Sequence, residues 1–228
     1  MPVSHATILT GLTRPVMQQV QNHWLQPAAA AAFIQMQQAA ATAGISMAIA
    51  SSYRDFASQA RIWQAKLAGH RPVFDGSGQR VDLNLLDDRA KLYAILHFSA
   101  LPGTSRHHWG TDLDVFDQAA IPSDYQLQLS PSEYASGGPF FKLAQWLSQH
   151  AANYGFFRPY RKYLGGVAME PWHLSYRPLA TKLMADLTTQ QVLAASQSQQ
   201  LFSYDLLATE ISEIMQRYVF NISEGSDE

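Results

Sequence analysis

Apolar positions recur along the chain with a period that switches between helix and strand. Pro27, the alanine run 28–32, and then Phe33, Met36 and Ala40 follow helical spacing. Proline in the first turn and Gly44 past the last apolar position mark the two ends. Residues 45–50 form a short apolar run that reads as a buried strand. Asp55 is placed to cap a helix to about Ala68, ended by Gly69, with Phe56, Gln59, Ile62 or Trp63, and Lys66 at helical spacing. Asp87 and Asp88 open another helix, which Pro102-Gly103 ends. Residues 111–116, 154–157 and 167–176 read as strands. Residues 139–147 and the segments beyond Pro178 read as helices, and residues 13–24 as a short one. The stretches 70–85 and 117–137 are rich in turn residues and read as connections, with one helical turn at 130–134. Residues 224–228 read as a disordered acidic end.

This order predicts an α+β fold: a small antiparallel sheet packed with several helices. One domain is expected over residues 1–177, with a helical extension over 178–228 packed on it. The 228 residues, 47% apolar, suffice for a substantial core. A net charge of −2 without a basic stripe excludes nucleic acid and an anionic membrane as expected partners. No run approaches the ~20 apolar residues of a membrane span. The first dozen residues lack the pattern of an export signal, so the expected compartment is the cytoplasm, or the exterior if the chain is a trimmed form. The chain has no cysteine. Any zinc must therefore be held by His, Asp or Glu.

Five histidines (His5, His23, His70, His97 and His150) stand alone and read as surface or hydrogen-bonded residues. Three others have acids as neighbours. The stretch Ser105-Arg106-His107-His108-Trp109-Gly110-Thr111-Asp112-Leu113-Asp114 offers two adjacent histidines, and two carboxylates that alternation places on one face of a strand. The second unit is Glu170-Pro171-Trp172-His173. In a regular strand Glu170 and His173 would diverge, and the proline makes a break that turns both toward one point plausible. His107, Asp114 and His173 together would form a His/Asp/His set with an open position, the pattern of catalytic zinc. Such a zinc lowers the pKa of its water to about 7 and polarises a carbonyl. Glu170 is suited to move the proton, and Arg54 to hold an oxyanion.

These residues resemble the signature motifs of the M15 zinc peptidases, in their VanY-like D-alanyl-D-alanine carboxypeptidase and LD-carboxypeptidase branch. The matching residues are Ser51-Ser52-Tyr53-Arg54 with Gln59, Ser105-x-His107-x-x-Gly110-x-Asp112-x-Asp114, and Glu170-x-x-His173. The resemblance covers roughly residues 27–177. It implies the fold shared by these peptidases and the hedgehog signalling domain. It also implies one zinc on His107, Asp114 and His173, with Glu170 as base and Arg54 on the scissile carbonyl. Gln59 and Ser105 would contact the substrate peptide or its terminal carboxylate, and His108 falls on a variable position. The implied reaction is removal of a C-terminal D-alanine from a peptidoglycan peptide or muropeptide. A D,D-dipeptidase, a cell-wall endopeptidase and a non-catalytic zinc module are the alternatives. The family usually has a small residue where this chain has Asp112, and often Gly at Ser52. Asp112 therefore has two candidate roles, orienting a ligand or pairing with a cation such as Arg106. Neither the order of oligomer nor the choice of tetrapeptide over pentapeptide is written in the sequence.

Overall fold

The computed structural model describes residues 4–197 and 201–223. Helix α1 (His5–Leu9) leads into a hairpin of β1 (Gln18–Val20) and β2 (His23–Leu25). This corrects the expected helix over residues 13–24. The reversal is made by Gln21 at φ 54, a conformation that a glycine would have advertised and a glutamine does not. Helix α2 (Pro27–Thr42) follows, with Phe33, Met36 and Ala40 fully buried. Strand β3 (Met47–Ser51) leads to α3 (Phe56–Leu67), where the Asp55 carboxylate accepts the Ser58 N–H at 2.7 Å. Helix α4 (Asp88–Leu96) is capped likewise by Asp87. Strand β4 (Asp112–Asp117) comes next, then the short α5 (Pro131–Tyr134), α6 (Phe141–His150), β5 (Phe156–Phe157) and β6 (His173–Tyr176). The strand expected over 167–176 is thus confined to its last four residues. Glu170 lies on the turn before it, where the His173 N–H donates to the Glu170 carbonyl at 3.2 Å.

Strands β3, β4, β6 and β5 form one antiparallel sheet in that order. Alternation along β4 decides which side is dry. Leu113 and Val115 enter an apolar cluster with Phe33, Met36, Leu143 and Leu147 of α2 and α6. Asp112 and Asp114 point to the other side, as alternation predicts. Beyond that side lies a second apolar cluster, formed by Trp63, Leu92, Ile95 and Trp109 with residues of the C-terminal helices. Those helices are α7 (Arg177–Asp186), α8 (Thr189–Ser196) and α9 (Tyr204–Ile214), the last continued by a wider-wound turn over Met215–Phe220. Leu187, Val192, Leu207 and Ile211 share this cluster with Trp63 and Trp109, so the residues beyond 178 help to build the core around the site. The acidic end expected to be disordered, residues 224–228, lies outside the described residues. Among those described, no helix is long and apolar enough to cross a membrane.

Candidate metal centre

Strand pairing does most of the assembly. Asp114 sits opposite His173 across β4 and β6, and opposite Ser51 across β4 and β3. His107 arrives on a single turn of 3-10 helix (Arg106–Trp109) that ends at Gly110 in the left-handed region, φ 68. A side chain at Gly110 would be strained there, and its Cβ would collide with Met17. Two backbone links lock this turn in place: the Arg54 N–H of the first motif donates to the His107 carbonyl (3.2 Å), and the N–H of Gln26, just before α2, to the Gly110 carbonyl (2.8 Å). Every residue from Leu101 to Val115 is buried.

His107, Asp114 and His173 each offer one ligand atom, and the three atoms lie within 4.8 Å of one another. His107 Nε2 is 3.5 Å from Asp114 Oδ2, and His173 Nδ1 is 3.2 Å from Asp114 Oδ1. The tautomers follow from the other nitrogens. His107 Nδ1 lies 2.8 Å from the Ser52 carbonyl, which can only accept, so Nδ1 carries the proton and Nε2 presents its lone pair. His173 Nε2 lies 2.9 Å from Asp112 Oδ1, which leaves Nδ1 facing Asp114. Burial, reinforced by the Arg54 charge, pulls His107 down to about 3, so its ring is neutral. Burial opposes charge on His173 as well. Without a metal, the carboxylates of Asp112, Asp114 and Glu170 outweigh it and raise the ring well above the usual histidine value. Glu170 Oε2 stands 3.5 Å from His173 Nδ1. Desolvation raises the Glu170 carboxyl, partly offset by His173.

The donor set suits zinc: two imidazole nitrogens and a carboxylate, with thiolates absent. A second observation agrees. Asp114 Oδ1 is buried and has no hydrogen-bond partner, since His173 Nδ1 approaches it outside hydrogen-bond geometry. A buried acceptor left open costs about 1–3 kcal/mol, a cost that a bound cation removes. Tyr53 Oη, Arg54 Nε and Gln59 Oε1 are also buried without partners, so the first motif carries unused polar capacity. Gln59 is anchored through its amide nitrogen to the Ala100 carbonyl at 2.7 Å. Ser105 is buried at the start of the His107 turn, and its side chain makes no capping bond.

Sequence reasoning set His108 aside as a variable position, and did not find the Ser52 carbonyl or Ser175. The His108 ring donates from Nδ1 to the Arg54 carbonyl (2.7 Å) and accepts at Nε2 from the Gly103 N–H (3.1 Å). It braces the backbone that carries Arg54. Burial brings it down to about 4, so it stays neutral. Backbone acceptors leave no mark in sequence. Ser175 was accessible, since it follows His173 by two residues and so shares its strand face.

A buried His/Asp/His set beside a carboxyl and an arginine, on a small antiparallel sheet, defines a centre of the metallopeptidase kind. The family model for VanY, D-alanyl-D-alanine carboxypeptidase, matches residues 22–179. The chain belongs to this family and is a peptidase. It is 33% identical over 121 residues to an uncharacterized protein of Haemophilus influenzae, covering 52% of this chain and 92% of the relative. Its fold is similar to that of the vancomycin-resistance D,D-pentapeptidase VanY from a VanB-type cassette, solved in complex with Zn(II). There the identity is 23% and the TM-score 0.50, over 74% of this chain and 83% of the other. It is also similar to the LD-carboxypeptidase LdcB, a structure described as revealing the basis of peptidoglycan recognition, at 24% identity and TM-score 0.50, over 77% of this chain and 71% of the other.

Proposed function

We propose that the protein is a zinc carboxypeptidase that hydrolyses the bond before the C-terminal D-alanine of a peptidoglycan-derived peptide. The observation that carries this reading is the convergence of His107, Asp114 and His173 around an unpartnered Asp114 oxygen, with Glu170 beside it. His107 through Nε2, Asp114 through a carboxylate oxygen and His173 through Nδ1 would hold the ion. Bound zinc supplies a Lewis acid for the scissile carbonyl and acidifies the attacking water.

The remaining work falls to the chain. Glu170 accepts the proton of the attacking water at its carboxylate and returns it to the departing amine. Its desolvated setting suits this exchange, because a carboxyl raised toward neutrality both takes and gives a proton readily. Arg54 faces Asp114 and Glu170, and its guanidinium stabilises the oxyanion as the carbonyl carbon becomes tetrahedral. Gln59 and Ser105 orient the peptide, Gln59 through the amide oxygen left open by its bond to Ala100. The family and both solved relatives, a D,D-pentapeptidase and an LD-carboxypeptidase tied to peptidoglycan recognition, support D-alanyl or peptidoglycan peptides as the substrate class.

Glu170→Ala is the test. The variant is expected to bind zinc as the wild type does and to lose about 10²–10⁴-fold in kcat. A defined tetrapeptide and pentapeptide, with the released amino acid read by mass, identify the bond cut. Undiminished activity in Glu170→Ala would remove Glu170 from the mechanism. Release of a dipeptide in place of a single D-alanine would favour the dipeptidase alternative.

A further inference from the structure

Asp112 stands two residues from Asp114 on the same face of β4 and has every oxygen engaged. Oδ1 accepts from His173 Nε2 (2.9 Å) and from Arg106 Nε (2.8 Å), and Oδ2 accepts from Thr111 Oγ1 (2.6 Å) and Ser175 Oγ (3.1 Å). Arg106 also donates through Nη2 to Ser175 Oγ at 2.6 Å, which closes a ring of side chains behind His173. Its guanidinium carbon lies over the rings of Trp109 (4.9 Å) and Phe157 (5.7 Å), and Nη1 reaches Met184 Sδ of α7 at 3.3 Å. Both Asp112 and Arg106 are buried. An isolated carboxylate or guanidinium at this depth would be costly, and each is tolerated because the other and the two hydroxyls satisfy it.

We infer that Asp112, held by Arg106, is a positioning residue for the metal: it fixes His173 as a ligand through Nδ1 by accepting the proton of Nε2. The inference rests on the zinc reading above. Its geometric basis is that one ring nitrogen cannot both donate to Asp112 and face Asp114, so the bond at Nε2 selects both the tautomer and the tilt of the ring. Rotation of the ring would break the Asp112 bond and take Nδ1 away from Asp114. A carboxylate accepting from the far nitrogen also makes the imidazole a stronger donor to the ion. The assembly has the order of a chain: Met184 and the two aromatic rings cover Arg106, Arg106 holds Asp112, and Asp112 holds His173.

The test is zinc affinity, measured by competition with a chromophoric chelator, for the wild type, Asp112→Asn and the double variant Arg106→Leu/Asp112→Ala. The double variant removes both charges together, so it avoids leaving one buried and unpaired, and thermal unfolding checks that it is folded. The expected result is a 10–100-fold weaker zinc affinity in the double variant and a smaller loss in Asp112→Asn, whose amide oxygen can still accept. In addition, the Nε2 proton of His173, visible as a protected signal in the zinc-loaded wild type by nitrogen-15 NMR, is lost in the double variant. Affinity within threefold of the wild type in the folded double variant would overturn the inference while leaving the zinc reading intact. A wild type that takes up no zinc would overturn the zinc reading itself, and this inference with it.

Discussion

Two like pairs of side chains lie within eight residues, and each pair divides in the same way. Asp112 has both oxygens filled, whereas Asp114 keeps one buried oxygen open. His108 has both nitrogens bonded, whereas His107 commits Nδ1 to the Ser52 carbonyl and leaves Nε2 facing the centre. Residue type and burial match within each pair, so neither one separates the functional member. What separates them is unspent hydrogen-bonding capacity. A saturated buried group holds the frame, and an unsaturated one is held by the frame for something else to bind.

The sharpest way to break this contrast is to neutralise each aspartate in turn. On the proposed zinc reading, Asp114→Asn is expected to reduce hydrolysis of the peptide to background, because the site would lose the one carboxylate of its His/Asp/His set, while metal-free stability in urea changes by less than about 1 kcal/mol. Asp112→Ala should do the reverse to the fold. It strands Arg106 as an unpaired buried charge, and the expected loss is about 3–5 kcal/mol of unfolding free energy. Equal stability losses in the two variants would mean that saturation does not distinguish the roles.

His108→Ala extends the comparison to the histidines. It leaves the Gly103 N–H and the Arg54 carbonyl without partners and should cost about 2–6 kcal/mol, given about 1–3 kcal/mol for each buried group left open. Zinc affinity is expected to be retained, since His107 is held independently through Ser52. Equilibrium unfolding beside a chelator titration separates the two effects.

The smallest effect concerns charge near the centre. Lys66 bonds Ser99 Oγ at 2.7 Å. Burial lowers its amine to about 8, against the pull of Glu170 and with the help of Arg71 and Arg54. The folded protein therefore releases this proton before the unfolded chain does. Between about pH 8 and the ordinary lysine value near 10.4 the unfolded state holds more protons, so this site adds stability as pH rises. Below pH 8 that contribution is absent. The stability of the wild type relative to Lys66→Met should accordingly rise across this interval, by on the order of 1 kcal/mol. A pH-independent difference would show that the amine titrates normally.

Much of this arrangement was legible in the sequence, for reasons that are now visible. Asp55 and Asp87 cap helices because their side chains are local to the N–H groups they satisfy. Asp112 and Asp114 share a face because a strand alternates, and Asp112 contacts both His173 and Arg106. Pro171 marked the break that lets Glu170 and His173 converge. The hairpin at residues 18–25 was missed because its reversal uses Gln21 where glycine or asparagine would have signalled a turn. The choice of His107 over His108 was beyond spacing alone, since it depends on two backbone carbonyls, of Ser52 and Arg54, supplied by a segment more than fifty residues away. Resemblance to the family supplied what spacing lacked.

The contact between Met184 and Arg106 has a consequence for how small the protein can be made. The family match ends at residue 179 and already includes His107, Asp114, His173, Glu170 and Arg54. A fragment cut at that point would keep all five of those residues and lose the sulfur that closes over Arg106, along with the α7 tether in which Asp186 meets His5 at 2.9 Å. Water reaching the guanidinium would loosen its hold on Asp112, and through it the His173 ring. The shortest self-sufficient enzyme is therefore longer than its motifs, and its boundary falls after the residue that keeps Arg106 dry.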